Sequence, residues 1–318
     1  MEWSEQEMKS LKKLTNNKGV ITALAIDQRG ALKRMMGENI SNTEISNFKE
    51  LVSHELTPYA SSILLDPEFG TDAANTKDSN CGLIMAYEKT GYDKKTPGRF
   101  PDLIPNCSVK NLKSKGTDAI KLLIYVDINE SEEINSQKEA FVERVGSECA
   151  SESLPFFLEI LTYDDSIGDE KGKEFAKVKP YKVINAMRLY SESRFNVDVL
   201  KVEIPVNMKF VEGYTKNEYV YTKEEAAEFF LEQSNVTNLP FIFLSAGVTS
   251  QLFLDTLNFA YKSGSKFNGV LCGRATWSDA AKAYVEDGII SSRNQLKSTC
   301  KNNIQELNKL VGEIATPI

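Results

Sequence analysis

Val199-Leu200-Lys201-Val202-Glu203-Ile204-Pro205-Val206 is the stretch on which the fold turns. It alternates poorly between apolar and polar residues and is apolar enough to be buried on both faces, the habit of a strand in a parallel sheet. A second run of this kind, Pro155-Phe156-Phe157-Leu158-Glu159-Ile160-Leu161, lies upstream. Six more short apolar, β-branched runs cover 20–27, 61–66, 82–88, 119–126, 240–247 and 267–273. Successive runs are spaced by about 20–45 residues, room for a crossover helix after each strand.

The intervening segments carry helical spacing. Ile45, Phe48, Leu51, Val52 and Leu56 form one such set, and Phe253, Leu257, Phe259 and Ala260 another. Thr222-Lys223-Glu224-Glu225 has the N-cap Thr and N3 Glu of a capping box, which predicts a helix over 226–233. Strand–helix units repeated in this way predict an α/β chain folded as a (β/α)8 TIM barrel, one domain over 1–318. The tail 291–314, with apolar Leu296, Ile304, Leu307, Val311 and Ile314, reads as a C-terminal helix. The competing architecture is a doubly wound open sheet. Gly19 and Gly30 bracket the first strand without the Gly-x-Gly-x-x-Gly pattern of that fold.

The formal net charge of −7 argues against general nucleic-acid binding and leaves room for an anionic substrate, which needs only a few local donors. Met1-Glu2-Trp3-Ser4-Glu5-Gln6-Glu7 is acidic and unlike a signal peptide, and no stretch reaches the roughly 18 apolar residues of a spanning helix. A cytoplasmic protein is expected. The five cysteines are scattered, form no Cys-x-x-Cys pair and read as reduced thiols. The sole histidine, His54, falls in the helical stretch 45–56. A His-rich metal site, a Ser-His-Asp triad and a Cys-His dyad are thereby disfavoured, and acid–base work falls to carboxylates, lysines and tyrosines. No metal and no cofactor is expected.

Reactive groups of a barrel gather at the C-terminal ends of its strands. Here those ends carry Asp27-Gln28-Arg29-Gly30, Asp66, Glu88-Lys89, Lys121 with Tyr125, Glu159, Lys201, Ser245-Ala246-Gly247 and Gly273-Arg274. A polar residue at a strand end is commonly just where the chain leaves the core. Charges in mid-strand are harder to dismiss, because a buried ammonium must be paired, hydrated or partly neutral. Lys201 reads either as a lysine reaching the barrel rim or a carboxylate, or as an amine able to attack a ketone and form an imine. Lys121, in Ile120-Lys121-Leu122-Leu123-Ile124-Tyr125, is an alternative nucleophile, and two nearby ammonium groups should lower each other's pKa. Glu159 is a buried ion-pair partner or the proton shuttle beside the imine lysine. Asp27 fits a turn and helix cap as well as a catalytic carboxylate. Glu88 and Glu203 are rivals for the acid–base role. Ser245, Gly247, Gly273 and Arg274 suit an anion, since glycines let backbone amides approach it and arginine adds a forked contact.

Several blocks resemble the bacterial class I tagatose 1,6-bisphosphate aldolases. They are Asp27-Gln28-Arg29-Gly30-Ala31-Leu32, Ser61-Ser62-Ile63-Leu64-Leu65-Asp66-Pro67-Glu68 and Ala86-Tyr87-Glu88-Lys89-Thr90-Gly91-Tyr92. To these add Glu143-Arg144-Val145-Gly146-Ser147-Glu148-Cys149, Asp198-Val199-Leu200-Lys201-Val202-Glu203 and Gly269-Val270-Leu271-Cys272-Gly273-Arg274-Ala275-Thr276-Trp277. The resemblance runs from about Gly19 to the terminal helix. It implies a metal-independent (β/α)8 aldolase that cleaves tagatose 1,6-bisphosphate to dihydroxyacetone phosphate and glyceraldehyde 3-phosphate, on the tagatose-6-phosphate route of galactose and lactose breakdown. It also implies Lys201 as the imine lysine, Glu159 as the acid–base glutamate, and Lys121 and Asp27 as their partners. Ser245, Gly247, Gly273 and Arg274 would hold the 1-phosphate of the ketose, with Arg29 and Lys89 facing the distal phosphate. The partner is then a small phosphorylated ketose, without nucleic acid or membrane, and a homo-oligomer is compatible. An aldolase or transaldolase for another ketose 1-phosphate, such as one with a distal sulfonate, and a catalytically silent sugar-phosphate sensor are the other readings. An intact Lys201–Glu159–Lys121 set argues against the sensor.

Overall fold

The computed structural model describes residues 3–37, 39–90, 96–215 and 218–318. Met1, Glu2, Gly91 and Tyr92, which figure in the sequence reading, lie outside them.

Each apolar run contains a strand. These are β1 (Ile21–Ala25), β2 (Ser62–Leu65), β3 (Gly82–Ala86), β4 (Ala119–Val126), β5 (Phe156–Thr162), β6 (Val199–Val202), β7 (Phe241–Leu244) and β8 (Gly269–Cys272). All pair in parallel, each with the next, and β1 closes on β8. Nearly every strand residue is buried, as the continuous apolar runs require when one face fills the barrel and the other meets helices. Six strands are shorter than the runs that announce them, while β4 fills its run and β5 is displaced from its run by one residue. The sixth stops at Val202, before Glu203-Ile204-Pro205, where proline could not donate to a ladder.

Helices α1 (Glu5–Leu14), α2 (Gly30–Met36), α3 (Asn42–Leu56), α4 (Thr71–Thr76), α5 (Val109–Ser114) and α6 (Glu132–Ser151) belong to the first half of the chain. The second half holds α7 (Lys173–Tyr190), α8 (Lys223–Asn235), α9 (Ser250–Lys262), α10 (Arg274–Gln295) and α11 (Lys301–Ile314). The capping box at Thr222 forms: its side chain accepts from the Glu225 N–H, and Glu225 reaches back to the Thr222 N–H. The tail read as one helix over 291–314 is α11 joined to the end of α10 by a π-helical turn, Leu296–Cys300. Within α10, Gly288 breaks the helical geometry with φ of 81°. No helix among the described residues is long and apolar enough to cross a membrane.

The barrel interior holds Ile21, Ala23, Ala25, Leu64, Ile84, Ala86, Ala119, Phe157, Val199, Ile242 and Leu271. Leu11 and Leu14 of α1 join this cluster, with Trp3 and Ile318 packed against it, so apolar groups stop the end opposite the polar strand ends. Trp3 Nε1 fixes the plug by donating to Asp198 Oδ1 at 2.8 Å. The larger cluster lies between strands and helices.

Buried ion pairs tie that outer shell to the strand ends. Lys49 of α3 meets Asp66, both wholly buried. Lys182 of α7 meets Asp127 at 2.5 Å and Asp164 at 2.9 Å, and Lys179 meets Glu203 at 3.2 Å. Asp66 also accepts from the N–H groups of Glu68 and Phe69 at 3.1 and 2.9 Å. It is therefore a structural group at the end of β2. Removing one partner of such a pair leaves an uncompensated buried charge, at a cost of about 3–5 kcal/mol. Lys49→Met should accordingly lower the thermal unfolding midpoint by several degrees; a midpoint equal to wild type would show that the pair contributes nothing net.

Candidate active site

Side chains alternate across a strand, so residues two apart share a face. Ala23, Ala25 and Asp27 thus point inward from β1, Ile84, Ala86 and Glu88 from β3, and Ala119 and Lys121 from β4. Phe157 and Glu159 follow from β5, and Val199 and Lys201 from β6. Register then brings the charges together: Glu159 stands opposite both Leu123 and Lys201, and Lys121 stands beside Ala86 and Phe157. At the level where the apolar interior ends, five ionisable groups converge.

Glu159 bridges the lysines, with Oε1 at 2.8 Å from Lys201 Nζ and Oε2 at 2.6 Å from Lys121 Nζ. Lys121 also meets Asp27 Oδ2 at 3.0 Å and Glu88 Oε1 at 2.8 Å. The Asp27 and Glu88 contacts are aligned hydrogen bonds, whereas Glu159 Oε2 receives no aligned donor among the described residues. That oxygen is the least satisfied acceptor of the cluster. All five side chains are nearly sealed, from 1% exposed for Lys121 to 10% for Asp27.

Lys121 is not lowered in the way the second of two isolated ammonium groups would be. Burial pulls the Lys121 pKa down, but the carboxylates of Asp27, Glu159 and Glu88 more than reverse it and hold the amine well above its ordinary value. Lys121 is therefore a fixed cation, and an amine kept protonated is a poor nucleophile. Burial alone would raise Asp27; Lys121 and then Lys201 overcome this and hold it well below the carboxylate range. Burial pushes the Glu88 carboxyl upward, against the pull of Lys121.

Beside this cluster lie the two loops that close the barrel. After β7, Ala246 and Gly247 are both left-handed, with φ of 49° and 75°. A Cβ on Gly247 would sit 2.8 Å from the guanidinium carbon of Arg274, so only glycine lets Arg274 lie flat against that loop. Gly273 caps α10 and Arg274 is its first residue. Arg274 is half-buried and has no ion-pair partner among the described residues, and Ser245 is buried. Backbone amides at the start of α10, its dipole and an uncommitted guanidinium have the chemistry that suits an anion.

Other sequence candidates sit elsewhere. Glu203 shares the parity of Lys201 but follows the strand's end, and its carboxylate accepts from Thr162 and pairs with Lys179. It is not part of the cluster. Arg29 is buried and committed to carboxylates, 2.6 Å from Glu68 and 3.6 Å from Glu88, with the Glu88 carbonyl at 2.8 Å. Lys89 is exposed and lies 3.4 Å from Asp102. Arg99 carried no sequence signal. Its guanidinium pairs with Asp165 and Glu170, each at 2.7 Å, and lies 4.2 Å from the centre of the Tyr163 ring and 5.5 Å from that of Tyr125. It joins the loop after β3 to the loop after β5 along one wall of the mouth.

The chain matches the DeoC/LacD family aldolases over residues 21–279. It is 57% identical to the tagatose 1,6-diphosphate aldolase of Staphylococcus epidermidis over 317 residues, 98% of each chain. It is 56% identical to that of Staphylococcus aureus over 320 residues, 99% of this chain and 98% of that one. Among solved structures, an archaeal fructose-1,6-bisphosphate aldolase whose catalytic lysine carries a carbinolamine intermediate superposes with a TM-score of 0.63 at 15% identity, covering 96% of this chain and 98% of that one. The fructose-bisphosphate aldolase of Plasmodium falciparum gives 0.68 at 14% identity, covering 98% and 95%. At such identities the structural likeness speaks for the barrel alone.

Proposed function

The chain belongs to the DeoC/LacD family of aldolases, and from that premise we propose that it cleaves D-tagatose 1,6-bisphosphate to dihydroxyacetone phosphate and D-glyceraldehyde 3-phosphate through an imine on Lys201. The observation that carries this reading is the contact of Lys201 with Glu159 at 2.8 Å in a sealed pocket whose other lysine is pinned by three carboxylates. One amine has a proton acceptor beside it; the other is held as a cation.

Lys201 Nζ, having passed a proton to Glu159, attacks the C2 carbonyl of the open-chain ketose, and a second proton passes from the nitrogen to the C2 oxygen to give a carbinolamine. Glu159 returns that proton to the C2 oxygen, which leaves as water, and the protonated imine forms. The iminium nitrogen is then the electron sink. The C3–C4 bond breaks as the C4 hydroxyl gives up its proton, its electron pair flows to nitrogen, and the aldehyde departs. Glu159 Oε2 is the acceptor favoured for that proton, since Asp27 is held far below the usual range and is a weak base. Lys121 supplies the fixed positive charge that offsets the developing alkoxide. Protonation of the enamine at C3 and addition of water to C2 release dihydroxyacetone phosphate and restore Lys201. Ser245, Gly247, Gly273 and Arg274 take the phosphate on C1.

The same reading makes the protein a cytoplasmic enzyme with one catalytic domain over 1–318. The resemblance to the class I tagatose 1,6-bisphosphate aldolases also implies loose stereochemistry at C3 and C4, so cleavage of fructose 1,6-bisphosphate and other C3/C4 epimers is expected as well. The test is borohydride reduction in the presence of dihydroxyacetone phosphate, with intact mass and peptide mapping, alongside a panel of hexulose bisphosphates. The expected adduct is on Lys201. An adduct on Lys121 would exchange the lysines, and a folded protein without an adduct would end the imine reading.

A further inference from the structure

Glu88 is a buried carboxylate that the reaction as written does not use, yet both its carboxylate oxygens and its carbonyl oxygen are held. It stands two residues beyond β3, 3% exposed. Its Oε1 accepts from Lys121 at 2.8 Å, and its Oε2 accepts from the backbone N–H of Leu123 at 3.1 Å. Its own carbonyl accepts from Arg29 Nη2 at 2.8 Å, and its backbone bridges to Leu103 across the loop after β3. The carboxylate therefore cannot swing, and neither can what it grips.

An ammonium has three N–H bonds. On Lys121 two are aligned, one on Asp27 from the end of β1 and one on Glu88 from the end of β3. The third carboxylate, Glu159, brings Oε2 to 2.6 Å from the same nitrogen without the geometry of a hydrogen bond. Two fixed anchors set the direction of the remaining donor. With only Asp27 the ammonium could rotate, satisfy Glu159 fully and deprive that carboxylate of the lone pair that takes a proton.

We infer that Glu88 is a positioning residue for carbon–carbon bond cleavage: with Asp27 it forms a two-point tether that aims the third N–H of Lys121 at the reacting oxygen and keeps Glu159 Oε2 open. The inference rests on the proposed aldolase reaction. Glu88 has no contact with Lys201 or with the loops around Arg274, so attachment of the three-carbon phosphate is independent of it.

Three proteins distinguish this from a packing role: wild type, Glu88→Gln and Glu88→Asp. The amide keeps the volume but removes the charge; the shorter acid keeps the charge but cannot reach Lys121 from the same place. Both should form the borohydride-trapped dihydroxyacetone phosphate adduct on Lys201 as wild type does. Both should cleave the bisphosphate with kcat reduced by about tenfold or more and KM within a few fold, the pattern of a contact that matters in the transition state. Glu88→Gln should also move the acidic limb of the kcat/KM profile downward, because the acidic cluster around Lys121 loses a negative charge while Arg29 and Lys121 are unchanged. Glu88→Asp should leave the limb in place. A Gln variant with wild-type kcat and limb overturns the inference, and so does loss of the Lys201 adduct in a folded variant. If wild type itself gives no adduct, it is the aldolase reading that fails.

Discussion

Lys201→Ala is expected to remove bisphosphate cleavage, lowering kcat by about 10⁴-fold or more, roughly 5 kcal/mol of transition-state stabilisation. Without the amine no iminium forms, and neither Glu159 nor Lys121 can serve as an electron sink for the C3–C4 pair. The loss should be chemical and not structural. Truncation removes one cation from Glu159 but leaves the Lys121 ammonium 2.6 Å away, so the buried carboxylate keeps a charge partner. The circular dichroism spectrum should match wild type and the thermal midpoint should fall only by what a small cavity costs. Phosphate-bearing ligands should still bind, because Ser245, Gly247 and Arg274 lie on the β7 and β8 loops. Residual turnover within tenfold of wild type would remove Lys201 from the nucleophile's place, and trapping on Lys121 in this variant would name its successor.

How much of this was legible in the sequence depends on what each residue's neighbours are. Lys201 and Glu159 stood out because a charge in the middle of a run apolar on both faces has nowhere to go but inward. Their register, opposite each other on β5 and β6, follows from adjacent strands of a parallel barrel. The same logic fails one step past a strand's end. Glu203 has the parity of Lys201, but once the chain leaves β6 alternation no longer binds it, and it turns to Lys179 on α7. Asp66 goes the same way to Lys49 on α3. Nothing in a helix marks a lysine as buried when its partner is distant in sequence. Lys49, Lys179 and Lys182 carry no mark of burial until the helices are laid on the barrel. Lys138, wholly buried with its ammonium 3.0 Å from the Tyr163 hydroxyl, is another case, and burial pulls it down to about 8.

The electrostatics were legible only in part. Counting lysines suggested two ammonium groups weakening each other. Three carboxylates around Lys121, from β1, β3 and β5, reverse the sign, and Glu88 reaches that position only through the pairing of β3 with β4. The nearness of the β7 and β8 loops was easier to read. Gly247 and Gly273-Arg274 end consecutive strands, and consecutive strands of a barrel are neighbours. Arg29 shows the opposite: its place after β1 promised a contact for the distal phosphate, and the fold sets it against Glu68 and Glu88.

Glu159→Gln is the change that separates proton transfer from charge. The amide fills the same space between Lys201 and Lys121 but can neither take a proton nor return one. Lys121 keeps its aligned bonds to Asp27 and Glu88, so it stays a cation. Arg274 and its loops are untouched, so KM should change by no more than a few fold. Two steps should slow together. Dehydration of the carbinolamine loses its acid, and deprotonation of the C4 hydroxyl loses its base, each worth about 10²- to 10⁴-fold. Borohydride trapping with dihydroxyacetone phosphate should therefore build up more slowly in this variant yet end on Lys201, because the nucleophile remains. A variant that traps at the wild-type rate but fails to cleave would restrict Glu159 to the C4 proton and pass dehydration to another group; Glu88 at 2.8 Å and Asp27 at 3.0 Å are the carboxylates left around Lys121. A variant with normal chemistry and a large rise in KM would instead make Glu159 a substrate-holding residue, and the bridge between the two lysines would be a device for placing the ketose rather than for moving its protons.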